Sequence, residues 1–149
     1  MAIAVIALPS VTKLPPETDG AVVVGGSHGA VYAAYLSARA GVRAAIHNDA
    51  GIGRDEAGVS GLAWADSHGM AMAAVLSSSA RIGDGEDMLR RGIISRANAI
   101  ATTCGVAPGQ SAKEAVELLK AAPWPHTRPA PLAEGRSVAG RVICVDSIS

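Results

Sequence analysis

Phenylalanine is absent from this chain, and only two Trp and two Tyr occur in its 149 residues. With so few aromatic rings, the core must form from close backbone approach and small aliphatic side chains. Stacking of nucleic-acid bases is correspondingly disfavoured as a function. Charge is sparse and balanced, with Lys+Arg and Asp+Glu at 13 each and a charged fraction of 17%. No basic field marks a nucleic-acid or anionic-lipid partner. Cysteine is limited to Cys104 and Cys144, too few for a disulfide framework and without metal-ligand spacing. Both are read as small core residues, and a reduced, cytoplasmic setting is expected. No run reaches the ~18 uncharged apolar residues that span a bilayer. The apolar start, Met1 to Leu8, lacks a basic flank and runs into Pro9, so no removed leader is expected.

Alanine and glycine are plentiful, at 30 and 17 residues. Much of the 49% hydrophobic fraction therefore carries nothing larger than a methyl group. The length fits one domain spanning 1–149 with one core. Low charge on a chain of this composition implies that part of the surface is covered by another subunit, and a homo-oligomer is expected.

Three segments share one grammar: a short β-rich run, a polar turn, an Ala-rich helical stretch and a closing Gly. The first is Ala21 to Gly25, then Gly26 to Gly29, then Ala30 to Ala40 with Gly41. The second is Val42 to His47, then Asn48 to Gly53, then about Asp55 to His68 with Gly69. The third is Met70 to Leu76, then Ser77 to Gly83, then helical material from Asp84 to Cys104 with Gly105, broken near Gly92. A β-run restarting directly after a helix-closing Gly is the expected form of a return into a sheet. The apolar runs do not alternate with polar residues, as expected of parallel strands buried on both faces. Gln110 to Ala122 reads as the clearest helix, with Ser111 and Glu114 at capping-box spacing. Four prolines between Pro123 and Pro131 predict an extended connection or an arm packed on a neighbour. Strands are also expected at Ile3 to Leu8 and Arg141 to Asp146. The predicted architecture is a three-layer α/β/α domain with a mainly parallel sheet of about five strands, in the flavodoxin-like or Rossmann-like class.

In such sheets ligands bind outside the carboxyl ends of the strands. The first turn brings Ser27 and His28 there, the second His47, Asn48 and Asp49, the third Ser77, Ser78, Ser79 and Arg81, and the terminal strand Asp146 and Ser147. The opposite turns offer little polarity. Gly25-Gly26-Ser27-His28-Gly29 has the form of a nucleophile elbow, and equally of an anion cradle built by Gly26 and Gly29 with Ser27 as donor. A Ser-Asp-His order would need Asp49 or Asp146 with His68 or His126, none well placed. His28 and Asp49 are candidates to move protons; His47, Asn48, Ser78 and Ser79 would orient a substrate, and Arg81 would clamp an anion. No metal site and no cofactor is predicted. Neither G-x-G-x-x-G nor a Walker A loop is present.

The expectation is a small-molecule enzyme, hydrolytic or lyase-type, acting on a compact anionic or amide-bearing substrate. The alternatives are a non-catalytic anion-binding regulatory module and a structural subunit of a homo-oligomer.

Overall fold

The computed structural model describes residues 2–125, 127–131, 136–140 and 142–145. Five strands form one sheet in sequential order: β1 (Val5–Leu8), β2 (Val22–His28), β3 (Ala44–Asn48), β4 (Ala71–Val75) and β5 (Ile94–Ala97). The first four run parallel, and β5 pairs antiparallel with β4. Helices α1 (Val31–Arg39) and α2 (Gly61–Ser67) lie on one face, while α3 (Gly85–Arg91), α4 (Ala99–Thr103) and α5 (Ala112–Leu119) lie on the other. Two apolar layers result, each built from alternate strand residues. Val23, Ala45, Met72 and Ala74 face α1 and α2, whereas Val24, Ile46, Ala73 and Val75 face α3 and α5. The architecture is three-layer α/β/α with a mainly parallel sheet. Its small strand side chains let the layers approach closely enough for backbone to touch backbone.

Helix-closing glycines do what the sequence implied: Gly41, Gly69 and Gly105 take φ of 79°, 77° and 97°, a region other residues enter only at a cost. Ser111 caps α5 by accepting the Glu114 N–H at 3.1 Å.

Four boundaries differ from the sequence reading. Gly26 to His28 is not a turn but the end of β2, and α1 starts only at Val31. The stretch from Asp55 to His68 is not one helix; a kinked 3-10 segment, Arg54–Val59, precedes a two-turn α2. Asp84 to Cys104 is not helical throughout, because β5 occupies Ile94–Ala97 between α3 and α4. The final run forms β7 (Val142–Val145), which pairs with β6 (Arg136–Ala139) in a separate antiparallel hairpin rather than joining the five-stranded sheet. His126, Asp146 and Ser147 lie outside the described residues.

The proline-rich connection packs on its own domain at the amino ends of the strands. Trp124 Nε1 donates to Gly41 O at 2.9 Å, Arg39 donates to Pro129 O at 3.0 Å, and Arg128 pairs with Asp19 at 2.9 Å.

The segment after β3 is conformationally costly. Ala50, Ile52, Asp55 and Glu56 all have positive φ, between 52° and 67°. Left-handed backbone costs a non-glycine residue roughly 1–2 kcal/mol, part of which a glycine returns through its freer unfolded chain. Ala50 is exposed, so Ala50→Gly is expected to stabilise the fold by about 0.5–1 kcal/mol in urea denaturation. A loss of stability would show that the loop holds Ala50 for its methyl contact rather than against its preference.

Candidate functional site

The turns after β2, β3 and β4 do meet at one rim, stitched by short bonds. Gly29 N–H donates to Asn48 O at 2.9 Å, Gly83 N–H to Gly26 O at 2.7 Å, and Ser77 N–H to Asp49 Oδ1 at 2.9 Å. Three of the polar side chains predicted there, Asp49, Asn48 and Ser79, are consumed in this stitching. Asp49 is 1% exposed, and its Oδ1 also accepts the Gly51 N–H at 2.8 Å in an Asx turn. Asn48 accepts the Ala50 N–H at 2.9 Å and donates to Ala80 O at 3.4 Å. Ser79 donates to Leu76 O at 2.7 Å and accepts the Ile93 N–H at 3.0 Å. Ser78 is exposed.

An opening survives at the carboxyl ends of β1 and β2. It is a groove of about 310 Å³ lined by Pro9, Ser10, Thr12, Gly26, Ser27, His28, Ile82 and Gly83. Chain direction explains it. The connection leaving β1 runs over the α1 face, where Val11 and Leu14 pack. The β4–α3 loop crosses the end of β2 to reach the other face, where α3 contacts β1 and β2. Two connections diverging to opposite faces leave a crevice between them, as at the ligand sites of open α/β sheets.

Three hydroxyls line this groove. Ser10 Oγ lies 3.0 Å from Thr12 Oγ1 and 3.5 Å from Ser27 Oγ, and Ser27 Oγ accepts the Val11 N–H at 3.1 Å. The His28 ring is exposed beside them. The structure thus brings Ser27 and His28 together with Ser10 and Thr12, which sequence reasoning missed. Their signal was available, since both follow a strand end directly, but the link after Leu8 has prolines and no helical pattern, so it was not read as a βα turn.

Neither form proposed for the glycine motif is reproduced. Ser27 sits in extended strand, with no left-handed residue at the motif, whereas an elbow sets its nucleophile on a strained turn. Gly26 packs against Pro9, Gly83 and Asp84 on the side where a Cβ would stand, and the Gly29 N–H is bonded to Asn48, so Gly29 has no free N–H to offer an anion. Arg81 donates its backbone N–H to Asp87 Oδ2 at 2.9 Å, while its exposed guanidinium has no partner among the described residues. Asp87 is occupied by Arg90 and Arg91 instead. The Arg91 guanidinium and the Arg81 N–H hold its carboxyl well below the usual carboxylate range.

His47 is separated from the groove. It is fully buried beneath α1, with Nε2 3.3 Å from Ser37 Oγ, and Nδ1 has no hydrogen-bond partner. Burial pushes its pKa down from 6.5 to about 4; the backbone of Gly25 favours protonation but its geometry falls short of a bond, and His28 opposes it. The unfolded chain therefore binds the extra proton first. Stability is fully present above about pH 6.5 and falls as pH drops toward 4, by on the order of 2–3 kcal/mol. Asp87 contributes its own loss only below about pH 4, where its unfolded form protonates. Urea midpoints across pH 4 to 7 check this, and His47→Gln is expected to flatten the slope.

Among the described residues, wider hollows of about 540 and 510 Å³ lie beside α5 and between α4 and Pro123, and neither is lined by an imidazole. Among the described residues no group of three His, Cys, Asp or Glu is placed to hold a metal ion, and no helix is long and apolar enough to cross a membrane. Comparison with known proteins returned no matching family model, no matching curated protein and no matching solved structure.

Proposed function

We propose that the chain binds a compact anionic small molecule in the groove and that His28 moves a proton on it, in hydrolytic or elimination chemistry. The observation that carries this reading is the convergence of Ser10, Thr12, Ser27 and His28 on one opening at the strand ends. Hydroxyls rotate to donate to an anion, and an imidazole beside them can accept or return a proton. Arg81, with no carboxylate partner, supplies positive charge on the same loop as Ile82 and Gly83.

A second reading, a non-catalytic anion-binding module, is favoured by one observation: Asp49 is sealed in its Asx turn, so among the described residues no carboxylate orients His28. Titration with inorganic phosphate and acetate, alongside a screen of small anionic esters and amides, separates the two. For an enzyme, His28→Ala is expected to lower turnover roughly 100-fold or more, the usual contribution of a positioned acid or base. Phosphate binding that is lost in Ser27→Ala, with no compound consumed by wild type, would favour the module. Neither binding nor turnover would remove the groove as a site. The homo-oligomer belongs to the same proposal, motivated by low charge and by exposed Leu76 and Ile82. Sedimentation giving a monomer mass would withdraw it.

A further inference from the structure

The five-stranded sheet has two edges, and the fold treats them differently. At the β5 edge, Ile94 donates its N–H to Gln110 O at 2.8 Å and accepts the Gly109 N–H at 2.8 Å, while Ile93 bridges Ser111. That strand also carries the charge of Arg96, and its pairing with β4 shifts register at Ala74 and Val75. Covering segments, charges and irregular pairing are what keep a sheet edge from recruiting another strand. Strand β1 has no charge, no register shift and no strand beyond it among the described residues. The Val22 N–H donates to Ala4 O at 2.9 Å, and the register from Val5 opposite Val22 to Leu8 opposite Gly25 turns Ile6 and Leu8 toward β2 in the same way. The N–H and C=O groups of Val5 and Ala7 therefore point outward, and among the described residues no hydrogen bond reaches them.

The side chains repeat the contrast. All four residues of β1 are only partly buried, whereas those of β3 and β4 are buried throughout. Val5 and Ala7 pack on the α3 and α5 layer and Leu8 on the α1 layer. Alternation turns Ile6 to the α1 side as well, yet it joins neither apolar layer. From Ala2 to Leu8 no residue is charged. A strand that pairs with its own copy sets like side chains beside like, which is tolerated only where they carry no charge. An axis through Ile6 also brings the outward groups of Val5 opposite those of the partner's Ala7, donor to acceptor and acceptor to donor. The strand that fits this edge is the edge itself.

Resting on the homo-oligomer of the proposed function, we infer that the β1 edge is where two copies meet. Each β1 pairs antiparallel with the other about a two-fold axis perpendicular to the sheet, joining two five-stranded sheets into one continuous sheet. Ile6 stands against the partner's Ile6 as a non-hydrogen-bonded pair, with Cα atoms about 4.5 Å apart. So short an edge makes a reversible dimer rather than a permanent one.

Sedimentation of the full chain over a wide concentration range is expected to show monomer and dimer in equilibrium. Ile6→Lys sets two ammonium groups face to face and is expected to weaken the dimer roughly tenfold or more, with circular dichroism unchanged. If that variant does not fold, Ala7→Pro removes an outward N–H that β2 does not use, a change an edge strand tolerates, and is expected to weaken the dimer as well. Ile6→Cys is expected to form a disulfide between two copies in air, since the separation of the pair lies within disulfide reach. Peptide mass spectrometry locates the link at position 6, with the wild type, which has only Cys104 and Cys144, as control. A wild type that stays monomeric overturns both the edge and the homo-oligomer. A dimer left intact by folded Ile6→Lys or Ala7→Pro overturns the edge alone and moves the interface elsewhere. A disulfide from position 6 to Cys144 also overturns it, because the β6–β7 hairpin would then be the occupant.

Discussion

Asn98→Ala is expected to cost about 3–5 kcal/mol of stability. All four hydrogen-bonding capacities of the buried Asn98 amide are used. Oδ1 accepts from Met72 N at 3.1 Å and from Ala101 N at 3.0 Å, while Nδ2 donates to Met70 O at 2.9 Å and Leu62 O at 3.3 Å. One side chain thus caps α4, closes the bottom of β4 and ties the first turn of α2. Truncation removes the cap, worth about 1 kcal/mol. It also leaves two N–H and two C=O groups in a low-dielectric interior, each costing about 1–3 kcal/mol unless water enters. Asn98→Asp is expected to do comparable harm, because a carboxylate cannot donate to Met70 O and Leu62 O. Urea denaturation monitored by circular dichroism measures both. A loss below about 1 kcal/mol for Asn98→Ala would show that solvent replaces the amide freely.

Gly26→Ala is the second large effect, expected at about 3 kcal/mol and above the usual cost of an added methyl. The new carbon would stand 2.6 Å from Asp84 N and from Gly83 C, and closer still to Pro9 O. All three are backbone atoms of segments converging on the groove, so relief requires moving the β4–α3 loop or the end of β1 rather than one rotamer. The Gly83 N–H to Gly26 O bond at 2.7 Å would be strained by the same movement. Both readouts should therefore change together: a lower urea midpoint, and weaker phosphate binding although no ligand-facing side chain has been altered. A folded, fully stable Gly26→Ala protein with unchanged groove behaviour would mean that these three segments are not packed as described.

These two residues also mark where sequence reasoning succeeded and where it stopped. The runs Val22–Val24, Ala44–Ile46 and Ala71–Val75 were legible as buried strands, since short uninterrupted apolar runs bounded by glycines and polar turns suit a sheet covered on both faces. Gly41, Gly69 and Gly105 marked the helix ends for a local steric reason. Strand β5 was not legible, because Ile93, Ala97, Ile100 and Cys104 happen to repeat at helical spacing. Pairing with β4, from Ala73 opposite Ala97 to Val75 opposite Ile94, overrode that pattern. Asn98 was passed over for the same reason: a cap residue inside an assumed helix has no visible role until the helix is found to begin there.

At the site, Ser27 and His28 could be placed from their position at the end of the β2 run, and an Asx turn from Asp49 to Gly51 was one of two readings of that residue; what decided between them, the second bond to its carboxylate, comes from Ser77, 28 residues away. Local steric rules and hydrophobic runs, written residue by residue, were enough to determine an α/β domain with its polar groups gathered at one end of a parallel sheet. Tertiary structure alone decided which of those groups face an opening and which are spent as caps. That choice depends on where two connections diverge over the sheet and on which distant backbone groups need a partner, and neither quantity exists until the chain has folded.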